Sequence, residues 1–208
     1  MAQTRKSRLW DACSNAIVVR FWNLYEPEPA HGYVLDIGTD FFLFLFINDS
    51  MRFEGFECHL IADIKRLEIP DPFEDFVVAA LRKRGECLDR APEVDLSSVA
   101  CILKYASKLF PLVVIELGHK KKDVCFVGKV VDVSKGRLLM LEIGPHAVWE
   151  KKPSRFWLKD ITRVSFGGGY EEALLLVGGD PYARKFAKGE SRIEHTEKKV
   201  AKQETASR

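Results

Sequence analysis

One stretch of this chain is written nearly twice, and that repeat bounds what the chain can fold into. Residues 32–47, GYVLDIGTDFFLFLFI, lie over residues 128–143, GKVVDVSKGRLLMLEI, at an offset of 96 with no gap. Gly32/Gly128, Val34/Val130, Asp36/Asp132, Leu43/Leu139, Leu45/Leu141 and Ile47/Ile143 are identical. Upstream, AIVVRF (16–21) meets LVVIEL (112–117) at the same offset. One residue is then gained. At an offset of 97, Asp63-Ile64 meets Asp160-Ile161, Arg66 meets Arg163 and Phe73-Glu74 meets Tyr170-Glu171. This pattern reads as a duplicated folding unit of roughly 90 residues, about the smallest that buries a core comfortably. Two copies are too few for a solenoid.

Within each copy the periodicity is that of strands. AIVVRFW and LVVIEL are β-branched runs. GYVLDIG and GKVVDVS alternate and run into turn residues, Gly38-Thr39-Asp40 and Ser134-Lys135-Gly136. FFLFLFI and RLLMLEI follow, then FECHLIA with DIKRLEI, and SRFWLK with DITRVSF. About five short strands per copy, joined by tight turns, predict a small antiparallel barrel. Helices punctuate the strands. Asp71-Pro72-Phe73-Glu74 has the grammar of a helix start, with Asp at the N-cap, Pro at the first position and Glu three residues on. Phe73, Phe76, Val77, Ala80 and Leu81 follow at helical spacing, and Gly85 stops the run. A second helix is expected from near Asp95 to Pro111, and a shorter one over SRLWDACSN.

A helix followed by five short bent strands resembles the Sm-like fold of LSm and Hfq-like small barrels. The block G-x-V-x-D-[IV]…L-x-L-x-I is similar to the first half of an Sm motif, and F-x-L-x-D-I-x-R-[VL] resembles the last strands of WYL domains. WLKDITRVSFGGGYEEAL, residues 157–174, is similar to a phrase seen in uncharacterised bacterial proteins. The resemblance implies an α+β, mainly β chain of two tandem Sm-like five-stranded bent antiparallel small barrels with flanking helices. The expected boundaries are 1–84 for the first barrel, 85–94 for a linker, 95–182 for the second barrel and 183–208 for a basic disordered tail. Sm proteins that bind RNA use an Asn in one loop and an Arg-Gly or Lys-Gly in a late loop. Neither copy has the late-loop pair, since LIADIK and LKDIT stand there, so no RNA-binding residue carries over. Trp157-Leu158 echoes the WYL run without its Tyr.

Charge and chemistry narrow the function. The segment from Ala183 onward holds eight Lys/Arg and four Glu. Removing its +4 from the overall +2 leaves −2 on the remainder, which makes no electrostatic case for a nucleic-acid surface. Five widely spaced cysteines without CxxC predict reduced thiols and a cytoplasmic location. The apolar run FFLFLFI is too short to span a bilayer as a helix, and no membrane association is expected. Cys58-His59 sit side by side in a strand and would point to opposite faces, so no metal is expected there. Gly167-Gly168-Gly169 precedes a helix but is followed by Glu171 and Glu172, which would repel a phosphate. Asp63 and Asp160 recur without a visible catalytic partner and read as carboxylates at a strand bend, with Arg66 and Arg163 in reach. No cofactor fingerprint and no catalytic triad appears. Lys120, Lys121 and Lys122 form a basic loop between the first two strands of the second copy, a candidate nucleic-acid contact. Phe42, Phe44 and Phe46 line one face of a strand that must be covered on both sides, and are expected at a contact between the two barrels.

The expectation is a non-enzymatic binding or scaffold protein, with a protein partner favoured over RNA, as a monomer or homodimer. The alternative is a ligand-sensing or RNA-binding regulatory module of the WYL or Sm-like type.

Overall fold

The computed structural model describes residues 4–87 and 91–183; the expected tail from residue 184 lies outside the described residues, as do 88–90 of the expected linker. The chain is α+β and mainly β. Helix α1 (Arg5–Ser14) leads into strands β1 (Val18–Asn23), β2 (Ala30–Ile37), β3 (Phe41–Ile47), β4 (Phe53–Leu60) and β5 (Ile64–Glu68). Helices α2 (Glu74–Arg84) and α3 (Val99–Leu109) connect to β6 (Val113–Leu117), β7 (Lys121–Ser134), β8 (Arg137–Glu142), β9 (Ser154–Trp157) and β10 (Arg163–Phe166), and α4 (Gly169–Gly178) follows. A one-turn 3-10 helix precedes β5 and another precedes β10, at matched places.

The ten strands form one open antiparallel sheet in the order β5-β1-β2-β3-β4-β10-β6-β7-β8-β9. This corrects the expectation of two closed barrels. The sheet has two edges, β5 and β9, and is continuous through the pair β4–β10, where Arg163 stands opposite His59 and Phe166 opposite Phe56. Each half contributes its fifth strand, then first to fourth. The register repeats as well. Gly32↔Phe46, Tyr33↔Leu45 and Val34↔Phe44 in β2–β3 recur as Gly128↔Glu142, Lys129↔Leu141 and Val130↔Met140 in β7–β8. The ladder slips at the same step in both halves, after Val34 and after Val130.

Strand alternation divides the core. Phe42 and Phe44 project into a cluster with Leu9, Ala12, Val19, Phe21 and Ile64, all from the first half and closed by α1; Phe46 packs against its margin. Phe41, Leu43 and Cys58 project the other way, into a larger cluster with Ile102, Leu103, Ile115, Leu138, Val164 and Phe166. The apolar contact between halves is therefore made by the odd-numbered face of β3, and the even-numbered phenylalanines expected there are covered by α1. The reason is that the alternation fixes two faces but not which cover each receives.

The helix starts fall later than the sequence suggests. Asp71 Oδ1 accepts from the Phe73 N–H at 2.8 Å and closes a turn, so α2 begins at Glu74. Glu74 is drawn away from capping, because its Oε1 accepts from the Val18 N–H at 2.9 Å. Likewise Asp95 closes a turn on the Ser97 N–H, and Ser98 caps α3 through the Cys101 N–H. Gly85 ends α2 in the left-handed conformation.

Candidate functional site

The most polar interior of the molecule lies where β4 meets β10. Arg163, on β10, reaches three carboxylates. Its guanidinium donates to Glu26 at 3.0 Å and to Glu116, and lies 3.8 Å from Glu57. Glu26 comes from the loop after β1, Glu57 from β4 and Glu116 from β6, so the arginine ties both halves. Burial pushes Glu57 up, but the Arg163 charge and the His59 hydrogen bond outweigh it and hold the carboxyl at about 2. Burial disfavours charge on Arg163 too; its carboxylates win and keep the guanidinium more firmly protonated than usual. Glu116 goes the other way, because its burial exceeds what Arg163 returns.

His59 extends the network. Its Nδ1 lies 3.0 Å from Asn23 Nδ2, which can only donate, so the ring proton sits on Nε2 and is donated to Glu57 at 2.7 Å. The ring stacks on Phe42 at 5.5 Å and meets Phe21 edge-on at 5.0 Å. Thr162 accepts from the Gly118 N–H and donates to the Glu116 carbonyl. At the rim, Tyr25 bonds His119 across the two halves.

Three buried polar atoms have no partner among the described residues, and all three belong to residues that line one enclosed space here: Asn23 Oδ1, Asp63 Oδ2 and Arg163 Nε. Two are acceptors and one is a donor. The space measures about 10 Å³, about the least that admits one water, whose two protons and lone pair match that set. Desolvation raises the Asp63 pKa, with His119 and His59 opposing.

Several sequence expectations can now be placed. Arg163 does not pair with Asp160; Asp160 accepts from Lys120 at 2.7 Å, and Arg66 pairs with Glu68. Asp63 does not cap a bend with its buried oxygen. Lys121 lies 5.1 Å over the Phe126 ring, so of the three lysines two have protein partners. All three are exposed. Cys58 lies in the apolar cluster and His59 in the polar one. Among the described residues no group of His, Cys, Asp or Glu is placed to hold a metal, and no helix is long and apolar enough to cross a membrane. The Arg163 cluster was not foreseen. Its only signal was an arginine in a strand whose core alternation leaves it on the polar face.

A second feature is an apolar cavity of about 490 Å³ between α1, β2, β3 and α2, lined by Cys13, Tyr33, Leu45, Phe53 and Leu81, with Arg82 and Glu86.

Sheet and seam together define a mainly β protein whose two five-strand halves share one ladder and one buried ion network. No protein-family model, curated protein or solved structure matches the chain.

Proposed function

We propose that the chain is a non-enzymatic binding or scaffold protein built from a duplicated helix-and-five-strand unit resembling the Sm-like type, engaging another protein. One observation carries the reading. The chemically richest cluster gathers three carboxylates on one buried guanidinium and encloses about 10 Å³, so its Arg, His and Glu groups bond one another across the two halves and leave no room for a substrate. The repeated register of β2–β3 and β7–β8 supports the duplication. The five free cysteines fit a reducing, cytoplasmic compartment.

The test is a titration of labelled poly-A, poly-U and mixed RNA at low and moderate salt. Absence of binding at low salt, where nonspecific attraction is strongest, is the expected result. Micromolar or tighter binding that weakens steeply with salt would replace this reading with an RNA-binding one. A ligand-sensing role has one observation in its favour, the 490 Å³ apolar cavity, which falls in the size range of small-molecule sites. A saturable rise in melting temperature with a small amphipathic ligand would move the assignment there.

A further inference from the structure

The two edges of the sheet are not equivalent to the seam between its halves, although the same strands form them. At the seam, β4 receives β10. At the far end, β9 occupies the place of β4 in its half, and its outer edge pairs with no strand among the described residues. The register shows the match: Phe41↔Leu60, Phe42↔His59, Leu43↔Cys58 and Phe44↔Glu57 recur as Arg137↔Trp157, Leu138↔Phe156, Leu139↔Arg155 and Met140↔Ser154.

The chemistry along that edge has been exchanged. Cys58 is buried in the seam opposite Val164. Its counterpart Arg155 is exposed. Phe41 lies in the core, and its counterpart Arg137 is exposed, with its guanidinium 4.2 Å from the Trp157 ring centroid. Glu54 becomes Lys151 and Gly55 becomes Lys152, both exposed. Inward of the strand, a groove of about 440 Å³ lies over the end of β7, the following turn and β8, lined by Leu138, Leu139, Lys135 and Arg137, and Arg155 reaches it from β9. One acid, Asp132, lines it, and its Oδ2 already accepts from the Ser134 hydroxyl.

We propose that the β9 edge is a docking site for an extended acidic segment of a partner protein, added to the sheet as an antiparallel strand. This rests on the binding-protein reading above and names its partner class. An exposed strand edge supplies main-chain donors and acceptors, and side chains supply specificity. The seam fixes what specificity means. The residue facing Arg155 takes the place that Val164 takes against Cys58, so Asp or Glu is wanted there instead of Val.

A second copy of this chain is a poor occupant. The strand equivalent to β10 is β5, paired with β1 on its inner side; docking through its outer side would bring Leu67 to Arg155 and the exposed cations Lys65 and Arg66 to an already basic edge. Like charges across a strand pair are destabilising. A nucleic acid makes no use of a backbone edge, and one face of the Trp157 ring on which a base would stack is already taken by the Arg137 guanidinium.

The probe is a short labelled peptide alternating Glu and Val, with a Lys–Val peptide as control, followed by fluorescence anisotropy. The acidic peptide is expected to bind and the basic one not. Arg155→Glu should weaken binding by about tenfold or more, whereas Lys65→Glu at the opposite edge should leave it unchanged; circular dichroism verifies that both variants fold. Backbone amides of residues 154–157 should gain hydrogen-exchange protection in the complex. Absence of binding, equal binding by Arg155→Glu, protection at another strand, displacement of the peptide by poly-U, or pairing of the protein with itself at this edge would each overturn the proposal. If the peptide fails while RNA is also silent, only the edge assignment falls; if RNA binds, the protein-partner reading falls with it.

Discussion

Arg163 is the residue on which the two halves depend most visibly. Three carboxylates around one guanidinium leave a surplus of negative charge, which the attraction to the buried Arg163 and the charge-assisted hydrogen bond from His59 to Glu57 offset. Glu57 titrates at about 2 in the folded chain against an ordinary 4.5. Its folded-state pKa is depressed, so its stabilising contribution is complete above about pH 4.5 and disappears as pH falls toward 2. A shift of that size corresponds to about 3 kcal/mol. Glu57→Gln should therefore flatten the acid limb of stability against pH over that window, read from urea midpoints at successive pH values. Asp63 has the opposite sign. Burial raises its pKa, so its contribution is present below its ordinary value and lost as pH rises through the raised one. Asp63→Asn should leave neutral-pH stability unchanged or higher. An acid limb in Glu57→Gln as steep as in the parent chain would show that Glu57 is not held by Arg163. This cluster was hardly legible in the sequence, because Arg163 and Glu26 are 137 residues apart and meet only through the sheet. The nearest acid, Asp160, was the natural guess and goes to Lys120 instead.

At the scale of elements, matched sequence made matched geometry. Gly32 and Gly128 are identical because the neighbouring strand passes too close for a side chain. A Cβ would lie 2.0 Å from the Leu45 carbonyl oxygen in one case and 2.4 Å from that of Leu141 in the other. Gly128→Ala must part β7 from β8 and should cost roughly 1–3 kcal/mol. Gly144→Ala, whose Cβ would meet only the Val148 carbonyl oxygen at 3.7 Å, should change stability by about 0.5 kcal/mol or less. Equal urea midpoints for the two variants would contradict this. The strands, the three early helices and the stop at Gly85 could all be read from periodicity and turn chemistry. Helix starts could not be read to the residue, since Asp71 and Asp95 satisfy a turn first, and Glu74 serves a distant backbone amide.

For the whole molecule, the shared ladder and the shared apolar cluster predict cooperativity. Phe41, Leu43 and Cys58 from the first half and Ile102, Ile115 and Val164 from the second are buried together, so separating the halves would expose the larger of the apolar clusters on both. Unfolding should be a single transition. Variants retaining only Trp22 or only Trp157 should report one midpoint by fluorescence, coincident with circular dichroism. Two separated midpoints would mean that the halves are independent domains.

By itself the sequence determined the repeat, the five strands of each half, the turn positions and the alternation that gives β3 two apolar faces. These are local properties, fixed by side-chain period and backbone preference within a few residues. Only the tertiary structure decided that β4 pairs with β10, so that the halves join into one open sheet instead of closing separately. It alone assigned α1 to Phe42 and Phe44, gave Phe41 and Leu43 to the second half, and gathered Glu26, Glu57 and Glu116 around Arg163. A strand edge offers the same unpaired backbone groups to any neighbour, and its partner is chosen by packing and charge between residues far apart in the chain.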